Sequence, residues 1–103
     1  MRNIVRGTTP TIKITFSEID PSTIEIAYLV IKQLGISPIE VPFDRAVLGN
    51  DYISFTLTQN ETLTLIEGNQ CEIYCDWKTQ DGTRGRSKAC RCTVEATGKD
   101  EVI

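Results

Sequence analysis

The sequence predicts an all-β fold: an antiparallel, immunoglobulin-like β-sandwich of about seven short strands with one short helical turn. Three observations lead there. Apolar residues recur with period two, as in Ile12, Ile14 and Phe16 and again in Ile53, Phe55 and Leu57. Clusters of Pro, Gly, Asn and Asp punctuate these runs. The order of strands, then a short helix, then a late hairpin suits an immunoglobulin-like topology, with a small barrel as the alternative. With 103 residues there is room for one domain, 1–103, with a short N-terminal arm (1–10) and a C-terminal tail (98–103).

The elements follow in order. Ile12 to Phe16 alternates with Lys13 and Thr15 and reads as a half-buried strand. Asp20-Pro21-Ser22 is a turn, because Pro presets φ and Asp can bond its own backbone. Ile24 to Gln33 is rich in β-branched residues and is the strongest strand. Ile39, Val41 and Phe43 alternate, but Pro38 and Pro42 lack a donor N–H, which places this strand at a sheet edge. Leu48-Gly49-Asn50-Asp51 turns the chain into the Ile53 strand. Thr58-Gln59-Asn60-Glu61 fits a capping box opening a helical turn to about Glu67, with Gly68 as its C-terminal cap. Threonines weaken that helix, so a strand continuing through Leu63 and Leu65 competes. Cys71, Ile73, Cys75 and Trp77 share one face of a long strand, Asp81-Gly82 signals a hairpin, and the chain returns from about Arg86 to Ala96.

Composition excludes several classes. Forty per cent apolar and 24% charged residues describe a globular chain. The formal charge of -3 argues against a global cationic coat for nucleic acid or anionic lipid. The longest apolar run, Ile26 to Ile31, is too short for a membrane helix, and no apolar run follows Arg2 and Arg6 to make a signal peptide, so no membrane partner is expected. There is no histidine, and the fourteen carboxylates show no spacing that defines an acid–base pair. No catalytic residue and no cofactor is expected.

The four cysteines, Cys71, Cys75, Cys90 and Cys92, read C-x3-C and C-x-C. If Asp81 and Gly82 are the two loop residues, Cys71 lies opposite Cys92 and Ile73 opposite Cys90, with all four thiols on one face. Residues four apart on a strand are about 13 Å apart, whereas two Zn–S bonds hold sulfurs within about 4.6 Å. Cys71 and Cys75 therefore cannot share an ion, and no metal site is expected. A Cys71–Cys92 disulfide is geometrically open. The plainer reading is four small buried hydrophobes beside Trp77.

Charge is unevenly spread. Lys78, Arg84, Arg86, Lys88 and Arg91 place five cations against one acid, Asp81, in residues 78–91. That segment is +4 and the rest of the chain -7. The basic hairpin 78–91 has three readings: a solvated hairpin, a phosphate-contacting finger, or a tip that docks on an acidic protein surface. The strand at 24–33 is apolar on both faces: Ile24, Ile26, Tyr28 and Val30 point one way, Ala27, Leu29 and Ile31 the other. A sandwich strand needs one such face, so Ala27, Leu29 and Ile31 are a candidate apolar interface, with the chain's own helix or a loop as the alternative cover.

Ile4-Val5-Arg6-Gly7-Thr8-Thr9-Pro10-Thr11, running straight into the first strand, resembles the VRGTTPT start of small proteins encoded in phage and prophage structural modules. Phe55 to Leu63, the hairpin from Gln70 to Ser87 and the closing Lys99-Asp100-Glu101-Val102-Ile103 fit the same pattern. The resemblance implies a non-enzymatic β-sandwich from the tail, baseplate or head–tail region, made in the bacterial host cytoplasm and then carried in the particle. Its partners would be other phage structural proteins or itself, with nucleic acid as the alternative partner. The cysteine-rich final hairpin and the Arg84 to Arg91 run depart from the family. On this reading Lys78, Arg84, Arg86, Lys88 and Arg91 are the docking residues. The arm (Arg2 to Thr9) and Val102-Ile103 could add strands to a neighbour's sheet edge.

Overall fold

Residues 3–98 and 102–103 are described by a computed structural model. The period-two segments become strands: β1 (Asn3–Val5), β2 (Thr11–Thr15), β3 (Ile24–Lys32), β4 (Ile39–Val41), β5 (Ala46–Leu48), β6 (Tyr52–Thr56), β7 (Gln70–Thr79), β8 (Arg84–Arg86) and β9 (Cys90–Glu95). One helical turn, α1 (Gln59–Leu63), lies between β6 and β7. The protein is all-β, as the alternation predicts. It has more strands than expected because β5 follows a 3-10 turn at Phe43–Arg45 and the returning strand breaks in two.

The strands form two sheets. One has the order β1-β9-β7-β3-β4, with β8 also on β7; the other has the order β2-β6-β5. Among the described residues, pairing is antiparallel except at one place. β1 runs parallel to β9, with Ile4 opposite Val94, so the larger sheet is mixed. β4 is an edge strand, where its flanking prolines put it. Both sheets feed one core: Ile4, Ala27, Leu29, Ile31, Val41, Ile73 and Val94 from the larger meet Ile12, Ile53 and Phe55 from the smaller.

Residues 3–5, read from sequence as part of a free arm, are thus a sheet strand, and the chain after them is tied down. Arg6 donates from Nε to the Leu65 carbonyl (2.8 Å) and from Nη2 to the Leu63 carbonyl (2.9 Å). The buried Thr62 hydroxyl accepts from the Gly7 N–H (3.0 Å) and donates to the Thr8 carbonyl (2.8 Å). Arg2 and Lys99–Glu101 lie outside the described residues. Ile103 pairs its backbone N–H and C=O with the Gln59 amide (2.7 and 3.0 Å), while Val102 is exposed.

The capping box at α1 is present: the Thr58 hydroxyl accepts from the Glu61 N–H (3.1 Å), and the Glu61 carboxylate accepts from the Thr58 N–H (2.8 Å). Arg45 holds the same carboxylate bidentately at 2.7 and 2.8 Å and, ahead of the Thr58 N–H, keeps it below its ordinary pKa. The helix ends at Leu63, not Glu67, and Leu65 drops into the core. Gly68 (φ +83°) turns the following loop and donates to the Val94 carbonyl (2.8 Å) instead of capping the helix. The competing strand through Leu63 and Leu65 does not form. The buried Gln33 braces this loop, its amide bonding Ile66 in both directions (2.7 and 2.8 Å).

Candidate functional site

The site is built on β7, whose far half lies between β3 and β8. Thr79, Gln80, Asp81, Gly82 and Thr83 form its turn. The Gly82 N–H donates to the Thr79 carbonyl (3.0 Å), and Gly82 takes φ +91°. This is a three-residue loop closed by a left-handed glycine, not the two-residue loop expected. The Thr79 hydroxyl and then the Thr83 N–H hold the Asp81 carboxyl below its ordinary pKa.

One extra loop residue changes the pairing. Lys78 faces Arg84, Trp77 faces Gly85 and Asp76 faces Arg86, whereas a two-residue loop would set Asp76 against Ser87. Further along, Cys71 faces Cys92 and Ile73 faces Cys90, the register expected. The chain absorbs the one-residue difference at Ser87-Lys88-Ala89. Ser87 donates its N–H to the Cys75 carbonyl (2.8 Å), and its hydroxyl accepts from the Cys75 N–H (2.8 Å) where a carbonyl would otherwise stand. A bulge of this kind re-aims the strand beyond it.

Across the sheet the outward side chains fall into rows. Ile26, Lys78 and Arg84 make one; Tyr28, Asp76 and Arg86 make the next; Lys32, Glu72 and Arg91 lie farther on. Three of the five expected docking cations already have acids. Arg86 reaches Asp76 at 2.6 Å, Arg91 reaches Glu72 at 3.5 Å, and Lys78 lies 3.6 Å from Glu25. The Arg86 guanidinium also lies over the Tyr74 ring (4.4 Å), as does the Lys32 ammonium (5.6 Å). Asp76 raises the Arg86 pKa further. Arg84 and Lys88 are exposed with no acid beside them among the described residues. The positive charge is therefore not at the hairpin tip, which is Gln80-Asp81-Gly82, but along β8 and the bulge after it.

The expected apolar interface is corrected. Ala27, Leu29 and Ile31 have no exposure and lie in the core. A register shift between Ile24 and Ile26 explains why Ile24 joins them there, out of the simple alternation. The apolar side chains left outside are Ile26 (37% exposed) and Tyr28 (39%). They line a shallow groove of about 660 Å³ with Asp76, Lys78, Arg84 and Arg86. The groove's Trp77 lies edge-on to Phe16, centroids 6.1 Å apart, and its ring reaches under Gly85 closely enough that a Cβ there would collide with it.

None of the four cysteines forms a disulfide. Cys71, Cys75 and Cys92 are buried; Cys90, expected to join them, is exposed. Burial pushes the Cys75 pKa up to about 12, and burial with the neighbouring Cys90 and Cys71 pushes Cys92 up to about 11. These groups stay protonated at neutral pH, which suits packing rather than nucleophilic work. Asp76, which pairs with Arg86, was missed from sequence because only the three-residue loop brings the two opposite each other, whereas the expected register already sets Glu72 against Arg91.

No protein-family model and no curated protein matches this sequence.

Proposed function

We propose that this chain is a non-enzymatic structural or adaptor protein of a phage or prophage particle, acting by protein–protein docking. Its body on this reading is an immunoglobulin-like sandwich; the sheet orders β1-β9-β7-β3-β4 and β2-β6-β5 around one core support that topology. The virion assignment rests on the resemblance of residues 4–11 and the segments that follow it. No helix among the described residues is long and apolar enough to cross a membrane. Synthesis in the host cytoplasm followed by entry into the particle completes the proposal.

One observation carries the docking role: Ile26 and Tyr28 stand exposed in the same groove as Arg84 and Arg86. Exposed apolar groups bordered by charge mark protein interfaces. A nucleic-acid role draws less support, because Lys78, Arg86 and Arg91 each have an acid within 4 Å, which a phosphate would have to displace.

Co-sedimentation tests this reading. In cells producing the particles, the wild-type chain should travel with them, while the double variant Ile26→Asp, Arg84→Glu should fold and remain in the supernatant. A wild-type chain absent from the particles, or a double variant present at wild-type level, would overturn it.

A further inference from the structure

The two halves of β7's far edge end differently. β9 is covered on its outer side by β1 at Thr93–Glu95, but among the described residues no strand pairs with β8 on the side away from β7. The hydrogen bonds flanking β8 show what it presents there. Thr79 donates to Thr83 (2.9 Å) and Ser87 donates to Cys75 (2.8 Å). Bonded and unbonded pairs alternate along an antiparallel ladder, so Trp77 and Gly85 are the bonded pair between them. Arg84 and Arg86 therefore turn their backbone N–H and C=O outward, a short open edge with donors and acceptors in alternation.

We propose that this edge is a strand-addition site for an extended segment of another protein that alternates acidic with apolar residues. The inference rests on the docking role above and names the chemistry of its partner. Charge selects the acidic face: among the described residues Arg84 and Lys88 have no acid of their own, and Arg86 stands beside them. The apolar face follows from Gly85, which brings no side chain of its own and leaves the Trp77 ring beneath it for a neighbour to cover. A phosphate backbone offers acceptors only and would leave the Arg84 and Arg86 carbonyls unmatched; a second peptide strand satisfies both. Lysine and arginine on an open edge also repel strands that lack acids, which makes the same residues a filter against indiscriminate pairing.

The test uses an acetylated seven-residue peptide alternating Glu with Val and Thr, and the same peptide N-methylated at alternate amides. Backbone amide exchange of the full chain is followed by NMR. The first peptide should slow exchange at Arg84 and Arg86 by roughly tenfold or more at saturation. The methylated peptide, equal in charge, should give no protection. Arg84→Gln should weaken binding through charge alone. Arg84→Pro, tolerated at an edge whose N–H faces solvent, should abolish protection at Arg86 while β9 amides keep their wild-type exchange. Equal binding of the methylated peptide, no binding of either, or protection of these amides by self-association alone would overturn the proposal. Binding of a DNA duplex with unchanged exchange at Arg84 and Arg86 would do the same in favour of phosphate. Should strand addition fail while the chain still co-sediments with particles, the edge is excluded and the groove remains.

Discussion

β8 and β9 lie on the same side of β7, run in the same direction and come from one stretch of sequence, yet only β9 is part of the core. In β9, Cys92 and Val94 are buried and β1 covers the outer edge. In β8 the one inward position is a glycine over Trp77, and both flanking residues are arginines turned outward. Alternation is much the same in both. What differs is the neighbour: a strand with a cover becomes core, and a strand without one keeps charge on its edge.

The sharpest break of this contrast is to put a carboxylate into each strand. Val94→Asp buries a charge with no partner and should cost more than about 4 kcal/mol, leaving the chain unfolded in a urea titration. Arg84→Asp should leave the midpoint close to wild type. Similar midpoints for the two would show that β9 is not core. A smaller effect is expected from Gly85→Ala, whose Cβ collides with the Trp77 ring. The ring must shift, at a cost of about 2 kcal/mol by thermal denaturation. A stability equal to wild type would mean that β8 does not pack on Trp77. The smallest effect leaves stability untouched and reads exposure alone. At pH 8, with Cys92 near 11 and Cys75 near 12, no more than about one thiol in a thousand of either is ionised. Iodoacetamide should label Cys90 quickly, and Cys92 and Cys75 only as pH rises toward those values or on unfolding. Labelling of Cys92 as fast as Cys90 would contradict the burial of β9.

Much of the fold was legible. The alternating runs at 12–16, 24–33 and 53–57, the proline-bounded edge strand and the capping box at Thr58–Glu61 all depend on neighbours a few residues away, where pattern and propensity act directly. The partner of Asn3–Val5 was not legible, because it lies some ninety residues along the chain. The docking cations were half legible. Their clustering is visible in sequence, and the expected register already sets Arg91 against Glu72, but the loop of three residues rather than two moved β8 by one place and brought Arg86 opposite Asp76. A bulge likewise hid which face of β3 is core. Period two assigns residues to two faces without saying which is inside, and the shift between Ile24 and Ile26 carries Ile24 across to the face of Ala27, Leu29 and Ile31.

The parallel pairing of β1 with β9 has a consequence for how the chain folds. Ile4 meets Val94, so β1 must wait for β9 to be made. During synthesis β2 to β7 can begin pairing while residues 3–5 have no partner, and the closing step must bring together points about ninety residues apart. Contacts of such long sequence separation are entropically costly to form early and slow the folding of β proteins. Until that step completes, the outer edge of β9 and the apolar Ile4 are both unshielded, so aggregation of this protein should be most acute in the interval before β1 meets β9.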